Sequence, residues 1–229
     1  MVIAIDGPAG AGKSTIAKLL AKKLSFTYID TGAMYRALTL KAIERGIKTR
    51  NTKALVAMAQ DTLLDLAYTK DGSLRVLLDG RDVSADIRSP GVTRFVSDIA
   101  KIKDIRKIML SLQRRLGREK DSVLDGRDIG TVVFPDADKK FFLDARFSER
   151  VKRRYKELKA LGMPGVTLKN ISVDLRNRDT IDSTRKCAPL RRAADAIYID
   201  TTKMTISEVV RALAGALRRS ARSPIWTRR

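Results

Sequence analysis

The sequence predicts an α/β fold: a central parallel sheet flanked by helices, with an antiparallel insertion in mid-chain. Three observations carry this. Short apolar runs alternate with amphipathic helical patterns at both ends of the chain, as strands joined by crossover helices do. The first run, Val2 to Asp6, ends in a glycine-rich turn, GPAGAGKS, that opens into a helix. Between the two ends, LAYTKDGSLRVLLDGRDVS reads as strand, Asp71-Gly72 turn, strand, Asp79-Gly80 turn and short strand, an antiparallel meander.

The elements follow in order. The helix after the glycine-rich turn places Ile16, Leu19, Leu20 and Leu24 on one side. Phe26 to Ile29 is a second strand, and Asp30-Thr31-Gly32 leads into a helix running to about Gly46. A further helix is expected over 51–66, then two more at about 90–100 and 103–117 beyond the meander. Ser122 to Asp125 and Lys140 to Asp144 read as buried strands of the parallel sheet. A strongly basic helix spans 147–161; Gly162, Pro164 and Gly165 interrupt it, and an amphipathic helix resumes near Leu168. Ala196 to Ile199 is the last strand. The final helix opens on a capping box of Thr205 and Glu208 and is expected to bury Ile206, Val209, Val210, Leu213 and Leu217. RSARSPIWTRR closes the chain as a basic tail, and there is no internal repeat or long linker.

Composition narrows the chemistry. The 229 residues are 44% hydrophobic and 32% charged, enough apolar material for one large core. No run approaches the roughly 18 apolar residues a membrane span needs. Nor does a basic segment followed by a long apolar one open the chain, so the expectation is a cytoplasmic protein with no membrane partner. A single cysteine, Cys187, rules out an internal disulfide and any multi-cysteine metal site. The chain has no histidine, which removes Ser-His-Asp and Cys-His catalysis and His-ligated metals. What remains is carboxylates, Lys, Arg, backbone dipoles and a metal held by oxygens. A formal net charge of +21 points to anionic partners: nucleotides, nucleic acid or acidic surfaces.

GPAGAGKS at 7–14 matches G-x-x-x-x-G-K-[ST] between a predicted strand and a predicted helix. The glycines let the backbone curl so that its N–H groups face phosphate oxygens, and the helix adds its positive end. Lys13 can reach the β- and γ-phosphates and Ser14 can ligate Mg²⁺. Asp125-Gly-Arg-Asp128 follows an apolar strand, where a magnesium ion or a substrate donor would be met. Arg127 suits a bidentate phosphate contact and Asp128 an exocyclic amine. The alternative is a polar turn whose Arg and Asp pair with each other. Arg36 either faces an acceptor phosphate or is a solvated helix charge. Arg178, Asp182 and Arg185 share a helix face, as a salt-bridge ladder or as a lid that brings arginines over a phosphoryl group. Lys152, Arg153 and Arg154 either serve a nucleotide or nucleic acid or form a solvated face, Cys187 reads as an inert thiol, and Trp226 stands outside any basic–aromatic pattern.

Taken together, the segments resemble the bacterial cytidylate kinase family. They are IDGPAGAGKST (5–15), DTGAMYRA (30–37), DVSADIRSPGV (82–92), LDGRDIGTVVFPDAD (124–138), FFLDA (141–145), RDTIDSTRKCAPL (178–190) and ADAIYIDTT (194–202). They run in family order and leave only the basic tail uncovered. DGRDIGTVVFP, with D-S-T-R ahead of A-P-L, is far more specific than the phosphate loop. The resemblance implies a P-loop nucleoside monophosphate kinase fold in a single domain, 1–229. Its monophosphate-binding insertion would cover about 36–100, its lid about 162–188 and its basic tail about 219–229.

The resemblance also implies roles at matching positions. Gly7, Pro8, Ala9, Gly10, Ala11, Gly12, Lys13, Ser14 and Thr15 would bind ATP, with Ser14 on the metal. Thr31, Arg36 and Arg127 would surround the acceptor phosphate, and Ser97, Arg106 and Asp128 would read cytosine. Arg178 and Asp182 would face the sugar, while Arg185 would act on the phosphates as the lid closes. Lys13, Arg127, Asp128 and Arg185 would carry catalysis. Some relatives have arginines where this chain has Ile181 and Ser183, so the lid's contacts differ in detail.

The implied reaction is Mg-ATP plus CMP, or dCMP, giving ADP and CDP or dCDP, by a monomer with no specific nucleic-acid partner. Its nucleophile is a phosphate oxygen already largely ionised near neutral pH, so no general base is required and a chain without histidine suffices. Two rival readings are another P-loop small-molecule kinase, acting on UMP or a non-nucleotide acid, and a nucleic-acid-binding P-loop protein. Independently of these readings, Arg228 and Arg229 in the tail are expected to bind acids weakly.

Overall fold

The computed structural model describes residues 1–69 and 74–220. The Asp71-Gly72 turn and tail residues 221–229, with Trp226, Arg228 and Arg229, lie outside the described residues. The main sheet is fully parallel. Its strands are β1 (Val2–Asp6), β2 (Thr27–Asp30), β6 (Ser122–Gly126), β7 (Lys139–Asp144) and β8 (Ile197–Asp200), in the order β2-β6-β1-β7-β8. Between β2 and β6 in sequence, β3 (Leu64–Tyr68), β4 (Leu74–Leu78) and β5 (Arg81–Asp82) form the expected antiparallel meander. The helices are α1 (Lys13–Leu24), α2 (Thr31–Glu44), α3 (Thr52–Gln60), α4 (Pro90–Ala100), α5 (Lys103–Glu119), α6 (Phe147–Ala160), α7 (Leu168–Thr184) and α8 (Ile206–Ser220). Among the described residues, no helix is long and apolar enough to cross a membrane.

Strand alternation divides the core between the two sheet faces. Ile3, Ile5, Val123, Phe141 and Leu143 pack against Ile16, Ala17 and Leu20 of α1 and Val209 and Leu213 of α8. Ala4, Ile29 and Leu124 face the other way, toward α2, α3, α4, α5 and the meander. A smaller cluster of Ala9, Val151, Ile171 and Leu175 seats α6 and α7 against the glycine-rich loop.

Three expectations need correction. The helix foreseen over 51–66 stops at Gln60, because the meander claims the residues after it. Leu63 donates its N–H to the Asp79 carboxylate at 3.0 Å and accepts the Asp79 N–H at 2.8 Å, and Leu64 and Leu66 alternate inward as strand residues. On α1 the buried stripe is Ile16, Ala17, Leu20 and Ala21; Leu19 sits one position off it and is exposed. Ile206 is likewise exposed, in the first turn of α8 ahead of the residues that reach the sheet. The capping box is present: Thr205 N–H donates to Glu208 and Glu208 N–H to the Thr205 hydroxyl, at 2.8 and 3.3 Å.

All five strands of the main sheet run the same way, so the carboxyl ends of β1, β2 and β6 meet at one edge, where the glycine-rich loop leaves β1. Gly7 makes this junction possible. It has φ +148°, and a Cβ there would lie 2.0 Å from the Leu143 carbonyl oxygen. Gly46 also has positive φ but open space around it. Gly7→Ala is therefore expected to cost more than about 3 kcal/mol in urea unfolding, and Gly46→Ala only about 1 kcal/mol. Similar losses for both would mean that β1 and β7 can move apart cheaply.

Candidate active site

The glycine-rich loop closes over Lys13, whose Nζ donates to the Pro8 carbonyl at 2.7 Å. Burial, with Arg127 nearby, holds the Lys13 ammonium well below its ordinary pKa. Gly7, Pro8 and Ala11 are buried in the loop's base, while Ser14 and Thr15 open α1 at the surface of the cleft. Ser14 donates its hydroxyl to Asp125 Oδ2 at 2.8 Å, and Tyr28 donates to the other carboxylate oxygen at 2.8 Å. Burial, and then Asp30 beside it, push Asp125 up to about 7. A hydroxyl and a carboxylate converging beside a phosphate loop form an oxygen-only donor set. That suits Mg²⁺, which takes one or two protein ligands and completes its shell with phosphates and water. Asp6, at the end of β1, accepts the N–H groups of Ile129 and Gly130 at 2.8 and 2.7 Å; burial raises it to about 6. Asp6 thereby ties the π turn after Asp128 to the root of the loop.

The cleft, about 460 Å³, runs from this loop to the meander and α4. Every sequence-predicted acceptor-side residue lines it: Thr31, Arg36, Ser97, Arg106, Arg127, Asp128, Arg178, Asp182 and Arg185. Thr31 is fixed by its hydroxyl on the Asp125 carbonyl at 2.7 Å, and Asp30 caps α2 through the Ala33 N–H at 2.9 Å. Arg36 is not a solvated charge. It donates to the Ile87 carbonyl at 3.1 Å and to the Thr93 hydroxyl at 2.9 Å.

The DGRD turn does not close on itself either. Asp128 is buried between Arg106, which donates to one carboxylate oxygen, and Arg185 at 3.3 Å on the other. Arg127 reaches Asp182 of α7 at 2.8 Å. Burial opposes the charge on both members of that pair, but their attraction outweighs it: Arg127 is raised and Asp182 lowered. Residues remote in sequence thus pair across the cleft.

Arg178 and Asp182 share a face of α7, but the helix ends at Thr184, so Arg185 stands just past it and the trio is only partly a ladder. Asp182 and Arg185 stand 3.9 Å apart, while Arg178 keeps a buried Nε with no hydrogen-bond partner. Burial, then Arg127 and Arg36, lower Arg178 to about 9; burial, then Arg154, lower Arg36 to about 10. Cations that weaken each other's proton affinity in a buried cleft mark a place short of negative charge.

Other basic residues have structural duties. Lys152 is exposed, Arg153 donates to the Thr201 carbonyl and hydroxyl at 2.6 and 2.9 Å, and Arg154 pairs with Glu157 at 2.8 Å on the cleft wall. Cys187 is a half-buried free thiol. Sequence reasoning missed Tyr28, which carried no motif, and the structural use of Asp6, which was legible only as the last residue of a strand.

The sequence profile of the family described as cytidylate kinase matches residues 3–219. A cytidylate kinase from Clostridioides difficile (strain 630) is 51% identical over 210 residues, 92% of this chain and 94% of that protein. One from Caldanaerobacter subterraneus subsp. tengcongensis is 48% identical over 223 residues, 97% of each. In structure, an uncharacterized protein from Eubacterium ventriosum ATCC 27560 superposes with TM-score 0.51 at 13% identity, covering 96% of this chain and 98% of its own, a likeness of fold alone. With near-complete coverage at about half identity, and the motif residues gathered on one cleft, the chain belongs to the cytidylate kinase family.

Proposed function

We propose that the chain transfers the γ-phosphoryl group of Mg-ATP to the phosphate of CMP, or dCMP, giving ADP and CDP or dCDP. The observation that carries this is Asp128 held between two arginines on a cleft that is also lined by Ser97 and by the phosphate loop. A carboxylate has about four lone-pair sites, so Asp128 can keep both arginines and still accept the cytosine N4 amine. Uracil presents a carbonyl there, so two acceptors face each other with no proton to share.

At the donor end, residues 7–15 bind the ATP phosphates through backbone N–H groups, and Lys13 reaches toward the β- and γ-phosphates. Ser14 and Asp125 are the residues that would hold Mg²⁺; the ion, when bound, neutralises phosphate charge. Thr31, Arg36 and Arg127 hold the acceptor phosphate so that its oxygen points at the γ-phosphorus. Arg178 and Asp182 face the sugar, and Arg185 follows the transferring charge. The acceptor oxygen needs no base to ionise it, so alignment and charge stabilisation by Lys13 and the arginines do the work.

The monophosphate-binding insertion (36–100), the lid (162–188), a monomeric state and a cytoplasmic location belong to the same proposal. An assay of ADP release with Mg-ATP and a panel of nucleoside monophosphates tests it. CMP and dCMP are expected to turn over fast, and UMP and AMP slowly.

A further inference from the structure

Ala9 of the phosphate loop has both backbone polar groups engaged by one ion pair. Its N–H donates to Asp179 Oδ1 at 3.3 Å, and its carbonyl accepts from Arg150 Nη1 at 2.9 Å. The same Nη1 donates to Asp179 Oδ2 at 2.6 Å, and Arg150 Nε donates to the Ala145 carbonyl at 3.1 Å. Arg150 is buried at the start of α6, its guanidinium 5.2 Å over the Phe147 ring, and Asp179 lies in the second half of α7. One pair therefore joins the loop after β1, the strand end of β7 and α7. The next residue back along α7 is Arg178, which lines the cleft and whose buried Nε has no hydrogen-bond partner among the described residues.

Arg150 is buried and Asp179 half-buried; breaking such a pair by removing one partner is costly, whereas replacing both with apolar groups often is not. We propose that Arg150 and Asp179 are positioning residues that keep α7 in register with the phosphate loop, so that Arg178 meets the sugar of the acceptor nucleotide at a fixed distance from Lys13. The proposal rests on the phosphotransfer reading above. Consecutive helix residues point about 100° apart, so Asp179 can grip the loop while Arg178 faces the nucleotides. A shift of α7 by about 1 Å would displace Arg178 by as much, enough to cost a large factor in rate. The grip also leaves any opening motion to the α6–α7 connection, where Gly162 and Gly165 adopt φ +68° and +70° with nothing within 4 Å of a would-be Cβ.

The test is a double-mutant cycle on the full chain. Asp179→Asn keeps an acceptor for the Ala9 N–H but loses the charge. It is expected to lower kcat about tenfold, with KM for ATP and for CMP changed less than about twofold. In an Arg178→Ala background the same change is expected to cost less than about twofold, since the residue it positions is gone. Equal losses in both backgrounds, or a loss confined to KM, would overturn the proposal and leave the pair as packing. Should Asp179→Asn fail to fold, Arg150→Lys carries the same cycle, retaining the charge but not the fork that reaches both carbonyls. A wild-type chain inactive on CMP would sink the phosphotransfer reading instead, so the two failures are distinct.

Discussion

Replacing Asp128 with Asn is expected to lower kcat/KM for CMP by about 100-fold and to erase most of the preference for CMP over UMP. The amide keeps the shape of the carboxylate but removes the charge to which Arg106 and Arg185 both turn. It also offers N–H donors where the cytosine amine needs an acceptor. UMP, whose carbonyl no longer faces a buried anion, should lose far less or gain. The same change leaves two buried guanidinium groups short of a partner, so unfolding free energy should fall by about 3 kcal/mol. The two effects separate experimentally: urea titration reads the second, and the CMP-to-UMP ratio of kcat/KM reads only the first. A variant that loses stability but keeps the wild-type ratio would show that Asp128 organises the arginines without reading the base.

Lys13→Met should abolish turnover almost completely, by about 10³-fold or more in kcat, while leaving the fold as stable as before or slightly more so. Stability is unharmed because the Lys13 ammonium is buried, is held well below its ordinary pKa and, among the described residues, donates only to the Pro8 carbonyl. A methionine of similar length fills the space without a charge to desolvate. Loss of activity with a retained or raised melting temperature is the signature of a charge kept for the transition state. A parallel drop in both would recast Lys13 as a structural brace of the loop.

Much of this site was legible in the sequence because its residues come in short contiguous motifs. A strand, a glycine-rich turn and a helix in succession fix the phosphate loop by local rules alone, and DGRD follows an apolar strand whose partners are β1 and β2. What was not legible is pairing across sequence distance. Arg127 and Asp128 looked as able to pair with each other as with anything else, yet they pair with Asp182, Arg106 and Arg185, because α5 and α7 pack around the end of β6. Arg36 read equally well as a solvated charge, since nothing local told of Ile87 and Thr93 arriving from the far side of the meander. The helix over 51–66 failed for the same reason. Its last residues are claimed by Asp79, which lies beyond the next strand. Tyr28 and the Arg150–Asp179 pair carried no signal, being single side chains whose meaning exists only once the strands and helices are assembled.

The most direct measurement is ADP release by the purified chain with Mg-ATP and CMP, dCMP, UMP or AMP as acceptor, the diphosphate of each acceptor being identified as the second product. Rapid, stoichiometric formation of ADP and CDP with CMP, and of ADP and dCDP with dCMP, with slow turnover of UMP and AMP, is the predicted result. Silence with all four acceptors while ATP still binds, or a preference for UMP over CMP, would contradict the account.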